Sequence, residues 1–469
     1  MDLKRLYSLA PHGLKSVLLN AYSAALYLER YGKSFRNISE QLESTQWYSA
    51  DEIKKYQDSK LRELVQHAYK NVPYYHQMFN DLGLRAADIR TVNDLKKLPV
   101  LTKADIKTNS SLLLSRVHNA NSRGMKFGGT SGTTGSPLRV GWSRHMRIFN
   151  NAIDWRQKRW AGIEPGEPIV MLLGQPIVQL DKTKPPFWQQ DYVQNFLWMS
   201  AFHLHADYMP MYVEKILSFR PSAVEGYPST LFEFAKFLIR TGKKIQVKAV
   251  FCSSEPLHKH YRETIEQAFG CKVFDFYGLA ERTIFATQCR EHAGQHLNFE
   301  YGISELLDEE GNDALGQEGV LVTTSLENFG MPLIRYQVSD RTMLIDEPCA
   351  CGRAMPRMRE VVSKYEDMIY RVDGTAISPS ILTHPFKLIE SINQSQIVQL
   401  DAHSILIKIV KADGYNKNDE RQLLAAFRAR VGEDMQVSVQ FFDHLPRDSS
   451  GKFRWVINQT TKKTKHLHH

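Results

Sequence analysis

A chain of 469 residues is too long for one ordinary hydrophobic core, so two or three domains are expected. Its 42% hydrophobic and 24% charged content is that of a globular protein, and no apolar run is long enough for a membrane-spanning helix. The net charge of +9 suits a polyanionic small molecule; nucleic acid is not expected, because Lys and Arg are interspersed with acids except in the tail Lys462-Lys463-Thr464-Lys465.

In chain order, Leu14, Val17, Leu18, Ala21, Ala25 and Leu28 follow helical spacing. They predict an amphipathic helix folded onto the body, with a membrane-surface helix, helped by Lys4, Arg5 and Lys15, as the alternative. Asn20 interrupts the apolar run and no small-residue cleavage site ends it, so a signal peptide is not expected.

The stretch Phe127–Pro137 interleaves four glycines with Ser and Thr hydroxyls. Glycine lets the backbone present its N–H groups to an anion at close range, and small hydroxyls add donors without bulk. No Gly-Lys-Ser/Thr follows, which argues against a Walker-type phosphate loop.

From Ala223 to Gly278 the pattern reads as strand, helix, strand, helix, strand. The first strand is Ala223–Gly226, turning at Tyr227-Pro228, with Ser229 expected to cap a helix that Gly242 ends. Val247–Cys252 is the next strand, followed by a helix from Leu257 to Phe269 that stops at Gly270, and Lys272–Phe276 is the third. The strands should be parallel with right-handed crossovers, so the turns at Tyr227, Glu255 and Tyr277 share the carboxyl edge where open α/β sheets bind ligands.

Cys289-x-x-His292 and the later Cys349-x-Cys351-Gly352 have ligand-like spacing for a tetrahedral, structural zinc site, with His296 as a substitute for His292. Five cysteines spread over a long chain argue against a disulfide framework and for a reducing compartment, so a cytoplasmic location is expected. Beyond Tyr365 the texture becomes that of a small α+β unit. Ile405, Ile407 and Ile409 alternate along one strand, Asn418 is expected to cap a helix ended by Gly432, and Val437, Val439 and Phe441 alternate along another.

Thr130-Ser131-Gly132-Thr133-Thr134-Gly135-Ser136-Pro137 resembles the phosphate loop of the adenylate-forming superfamily, and within it the phenylacetate-CoA ligase branch with its CapK-like proteins. Four further segments match that family in order. Phe276-Tyr277-Gly278-Leu279-Ala280-Glu281 resembles its Tyr-Gly-x-x-Glu segment, implying Tyr277 stacked on adenine and Glu281 on Mg²⁺. Ser253-Ser254-Glu255-Pro256 is similar to a turn lining the adenine pocket. Tyr336-Gln337-Val338-Ser339-Asp340 resembles the segment whose Asp binds the ribose hydroxyls, and Pro446-Arg447-Asp448-Ser449-Ser450-Gly451-Lys452 the segment carrying the catalytic lysine. Ser363-Lys364-Tyr365-Glu366-Asp367 departs from the family's Gly-Arg-x-Asp-Asp: Lys364 keeps the charge that contacts the ribose but loses the guanidinium fork, and Glu366 or Asp367 keeps the hinge.

The resemblance implies an α/β fold with a large N-terminal adenylation domain of doubly wound, mostly parallel sheets over residues 1–365. It also implies a mobile α+β C-terminal domain over 366–469 that brings in Lys452. ATP and a small-molecule carboxylate would react to acyl-AMP with Mg²⁺, loop residues such as Thr134, Glu281 and Lys452 acting on the phosphates and Tyr227 and Pro228 shaping the acyl pocket. The acceptor implied is coenzyme A, the alternative an amine in capsule or exopolysaccharide biosynthesis, and the second alternative a non-catalytic adenylate-binding scaffold. The phenylacetate-ligase branch also carries Cys/His clusters of this kind, and a homodimer is kept open as the oligomeric state.

Overall fold

The computed structural model describes residues 12–118, 124–130, 138–175, 177–180, 182–308, 310–314, 316–361, 368–377, 379–382, 384–386, 389, 391–443, 445 and 454–460. The largest element is a ten-stranded mixed sheet. Its centre is five adjacent parallel strands in the order Phe196–Met199, Ile169–Leu172, Ala223–Gly226, Ala249–Ser253 and Val273–Gly278. Antiparallel strands flank both sides, Trp188–Asp191 at one edge and the short Phe285–Thr287, Gln295–Leu297, Arg357–Met358 and Leu344–Ile345 at the other.

The three parallel strands expected between Ala223 and Gly278 lie side by side. Their side chains are buried on alternate faces, as a sheet wound by helices on both sides requires. Val170, Leu172, Val224 and Val250 pack with Leu231 and Phe234 of helix Pro228–Thr241 and Ile265 of helix Lys259–Phe269. Ile169, Met171 and Phe251 pack with Met146, Phe149 and Ile153 of helix Arg144–Trp160 and with Leu42 of helix Lys33–Thr45. Gly242 and Gly270 end their helices in the left-handed region, at φ of 67° and 64°. Ser229 is not the cap. Tyr227 holds that position without a side-chain hydrogen bond, and Pro228 fills the first helical turn, where its missing N–H costs nothing.

A three-stranded sheet follows, Gly302–Leu307, Gly319–Ser325 and Tyr336–Thr342. The C-terminal region forms a separate four-stranded sheet in the order Gln436–Phe441, Ser404–Lys411, Ile392–Gln399 and Val456–Asn458. Ile405, Ile407 and Ile409 are buried along one side, as their alternation predicts. Two details differ. The helix Lys417–Val431 is capped by Asn416, whose side chain accepts from the Asn418 and Asp419 N–H groups, so Asn418 sits inside the first turn. Phe441 is 40% exposed because Gln436–Phe441 is an edge strand, and its outer ring face is covered by the Lys411 ammonium at 3.6 Å.

The N-terminal helix His12–Arg30 exists, but with its faces reversed relative to the expectation of an apolar stripe folded inward. Leu14, Val17, Ala21, Ala25 and Leu28 are exposed, whereas Lys15 and Ser23 are buried. The inward side is held by polar contacts: the Ser23 hydroxyl donates to Asp191 Oδ2 at 2.5 Å and Asn20 Nδ2 to the Gln190 carbonyl at 3.0 Å. No helix among the described residues is long and apolar enough to cross a membrane.

Candidate functional site

Parallel strands bring their carboxyl ends to one edge, and the three turns meet there. The backbone N–H of Ser229, just after the Tyr227-Pro228 turn, donates to Glu255 Oε2 at 3.1 Å. That contact sets a carboxylate on the positive end of helix Pro228–Thr241. Glu255 therefore ties two of the turns together, with Ser254 before it in the left-handed region at φ 68° and Pro256 after it. The third strand ends in Phe276, Tyr277 and Gly278. Phe276 stacks on Phe285 at 5.0 Å, while Gly278 is exposed at the edge.

Two hydrogen-bonded pairs stand at this edge. The Tyr277 hydroxyl donates to Asp340 Oδ2 at 2.8 Å, joining residues far apart in sequence. Burial, and then the neighbouring Asp340 carboxylate, push the Tyr277 phenol well above its ordinary value, so it remains a donor. The Tyr336 hydroxyl donates to Glu281 Oε1 at 2.9 Å. Burial raises the Glu281 carboxyl; the Tyr336 bond and the charge of Lys103 oppose that rise. Lys103 reaches the site because Leu101 bridges Tyr336, with its N–H on the Arg335 carbonyl at 2.8 Å, and helix Lys103–Thr108 starts directly after.

A hairpin, Lys126–Thr130 paired with Leu138–Trp142, carries the Gly/Thr-rich loop. It is fastened to the Tyr277–Arg282 turn: Trp142 Nε1 donates to the Ala280 carbonyl at 2.9 Å, and the Arg282 guanidinium lies 4.6 Å from the Trp142 ring centre. Gly128 makes the fastening feasible, since a Cβ there would meet the Trp142 ring at 2.1 Å. Ser131, Gly132, Thr133, Thr134 and Gly135 lie outside the described residues, as do Lys364, Glu366, Asp367 and Lys452, and Thr130 is described in its backbone alone.

Tyr227 sits beside Gly174, where a Cβ would come within 2.9 Å of its ring and 2.7 Å of Ile381 from the C-terminal region. Burial pushes the Tyr227 phenol up to about 12. A cavity of about 400 Å³ opens along helix Pro228–Thr241, lined by Thr230, His205, Lys236, Phe237, Arg240 and Asp373. None of Tyr227, Tyr277, Glu281 and Asp340 lines it, so it is separate from the pairs described above.

The cysteines meet as the spacing predicts, with one exchange. Cys289 Sγ and Cys349 Sγ are 3.7 Å apart, Cys351 Sγ is 3.5 Å from His296 Nε2, and the four ligand atoms lie within 4.8 Å of one another. His292 is not in this group. It takes a left-handed turn at φ 51°, which aims its ring at Phe274, 4.8 Å away, so His296 supplies the imidazole.

Residues 369–459 match the family model for the CapK C-terminal domain. Over 469 aligned positions the chain is 23% identical to Protein CapK of Staphylococcus aureus, covering 97% of this chain and 99% of that one. It is 25% identical to a phenylacetate-coenzyme A ligase of Thermus thermophilus, over 87% of this chain and 97% of the relative. Over nearly its whole length the chain is thus similar to CapK and to phenylacetate-coenzyme A ligases. A 2-hydroxyisobutyryl-CoA ligase crystallised with 2-HIB-AMP and CoA has the same fold, with a TM-score of 0.57 at 20% identity over 90% of this chain and 94% of that one.

Two parts of the site escaped sequence reasoning. Lys103 belongs to a short helix with no motif of its own, and the bridge from Leu101 to Tyr336 that delivers it joins segments over two hundred residues apart. The Tyr336 hydroxyl on Glu281 was within reach, because both residues stand in matched segments. The Gly128–Trp142 contact required knowing the hairpin register.

Proposed function

We propose that this ligase activates a carboxylic acid with ATP, forming acyl-AMP and pyrophosphate, and then passes the acyl group to the thiol of coenzyme A. The observation that carries the reading is the Tyr277–Asp340 pair standing beside the Glu281–Tyr336 pair, next to a hairpin that bears the Gly/Thr-rich loop. Phenylacetate-coenzyme A ligases among the relatives support the thiol as acceptor.

On this reading Tyr277 and Gly278 hold adenine beside the Ser254-Glu255-Pro256 turn, Asp340 binds the ribose hydroxyls, and Thr130–Gly135 receives the phosphates. The Tyr277 bond to Asp340 orients the carboxylate toward the ribose. One carboxylate oxygen of the substrate attacks the α-phosphorus as the bond to pyrophosphate breaks, and no proton has to move. The protein's part is positioning and charge neutralisation. Glu281 is a desolvated carboxylate with a raised proton affinity, a fitting partner for Mg²⁺, which would neutralise charge on the triphosphate. Lys452 is assigned the charge growing on the α-phosphate and the attacked carboxylate. In the second step the coenzyme A sulfur attacks the acyl carbonyl and AMP departs, after residues 366–469 turn about a hinge at Glu366-Asp367. Tyr227 and Pro228 are assigned to the acyl pocket.

The Cys289, His296, Cys349 and Cys351 cluster is assigned to a structural Zn²⁺. Its 3.7 Å and 3.5 Å separations are close to the tetrahedral edges set by Zn–S bonds of about 2.3 Å and Zn–N bonds of about 2.0–2.1 Å. All five cysteines are free, which fits a reducing, cytoplasmic setting.

A second reading, with an amine as acceptor, is favoured by one observation: the C-terminal segment matches the CapK domain. Pyrophosphate release screened over carboxylic acids, with coenzyme A or with amines, tests both. Lys452→Ala is expected to lower adenylation at least a hundredfold, roughly what one charge-stabilising group contributes, while ATP still binds. Undiminished turnover by that variant would sink the mechanism.

A further inference from the structure

The helix His12–Arg30 points its apolar stripe outward. Leu14 is 48%, Val17 64% and Leu28 77% exposed, and Ala21 and Ala25 continue the line between them. Contiguous apolar surface of this kind marks a docking site. At 19 residues the helix is about 28 Å long, a convex ridge rather than a groove. Exposed Tyr22, Tyr27 and Tyr192 stand along its flanks, where amphipathic rings suit a headgroup layer. The opposite face is pinned by Ser23 on Asp191, Asn20 on the Gln190 carbonyl and Glu29 on Arg147, so the stripe is held outward by the fold itself.

Charge selects the occupant. At the end of the helix and just after it stand Arg30, Lys33 and Arg36 against Glu29, and Glu29 is already paired with Arg147 and Lys126, whereas Lys15 is buried on the inward face. Lys33 and Arg36 are exposed directly after the helix. A second copy docked here would set these cations against themselves, which like-charge repulsion opposes. We propose that the outward face of helix His12–Arg30 docks on a lipid bilayer bearing anionic headgroups, lying in the plane of the interface without spanning it.

Flotation of the full chain with phosphatidylcholine vesicles, and with vesicles that also contain phosphatidylglycerol, tests this. The wild type is expected to float with the anionic vesicles and to be released by high salt. A triple variant, Leu14→Gln, Val17→Gln and Leu28→Gln, is expected to bind at least about tenfold less, since three large side chains no longer leave water. Its melting temperature and pyrophosphate release should be unchanged, because the three side chains are exposed and none of them is assigned to the site. Lys33→Glu with Arg36→Glu should weaken binding to the anionic vesicles as well. The proposal fails if the wild type floats with neither vesicle, or if the triple variant floats equally well. It also fails if the triple variant instead converts a wild-type dimer to monomer with no vesicle binding by either.

Discussion

Asp340 and Glu281 are both acids, yet their surroundings set them different tasks. Asp340 accepts from Tyr277, and on the proposed reading its carboxylate receives the ribose hydroxyls. Glu281 is nearly fully buried and loses charge stabilisation by desolvation, so a cation nearby is worth more to it. Asp340→Ala should therefore raise the KM for ATP about tenfold to a hundredfold, the worth of hydrogen bonds to a charged group, with a smaller change in kcat. Glu281→Gln should chiefly lower kcat and raise the Mg²⁺ concentration needed for half-maximal rate; equal effects of both variants on KM alone would contradict the division. His203 gives a separate, pH-dependent prediction. It is buried, stacked on Phe187 at 4.5 Å and hydrogen-bonded with Ser200, and burial, with a smaller contribution from Arg371, pushes its pKa down to about 4. The unfolded chain takes up a proton at this residue near pH 6.5 and the folded chain does not. Stability is thus intact above that pH and falls as pH drops toward 4, by roughly 3 kcal/mol. Thermal melts of wild type and His203→Gln between pH 7 and 4 should diverge in slope in that window.

The hairpin that carries the loop depends on one missing methyl group. Gly128→Ala would drive a Cβ into the Trp142 ring, displace its bond to the Ala280 carbonyl and cost about 1–3 kcal/mol as overpacking does. Pyrophosphate release should fall at least tenfold, and Trp142→Phe in the same chain should recover part of the lost stability; additive losses would show that the two residues do not interact. Elements of this size also show what a sequence reveals. The strands from Ala223 to Gly278 were legible because they are mostly apolar and their crossover helices stop at glycines. The two- and three-residue strands at the sheet edge carry too few side chains for a period to register. Helical spacing in His12–Arg30 was read correctly as a stripe, but periodicity does not say which side docks. That was decided by Asp191, a partner more than 160 residues away. The segments assigned to nucleotide binding were legible by resemblance, while the hydrogen bonds that join them were not.

Across the whole molecule, the Cys/His cluster ties the antiparallel end of the large sheet to the helices that pack on it. Cys289 and His296 belong to the antiparallel end of the large sheet and Cys349 and Cys351 to the loop before its outermost pairing, and Ile53 and Trp160 from two helices pack on the same cluster. Arg353, next to that loop, lies between Trp47 and Trp160 at 4.7 and 4.1 Å from their ring centres. A metal ion here would bind the folded chain in preference to the unfolded one, so removing it should lower stability. Chelation, or Cys349→Ser, should reduce the melting temperature by several degrees and zinc content toward zero, with Cys271→Ser as the unaffected control. A zinc-free preparation that melts identically with and without added metal would remove the assignment.

The reversed N-terminal helix has an energetic signature of its own. A helix docked through apolar side chains exposes oily area when it peels away, which raises heat capacity and steepens the response to urea. Here the contacts broken would include Ser23 with Asp191, Asn20 with the Gln190 carbonyl and Glu29 with Arg147 and Lys126, while Leu14, Val17 and Leu28 are in water before and after. Detachment of this segment is therefore nearly silent in calorimetry and in denaturant slopes. It would be seen instead as faster amide hydrogen exchange over residues 12–30, at a free energy well below that of global unfolding.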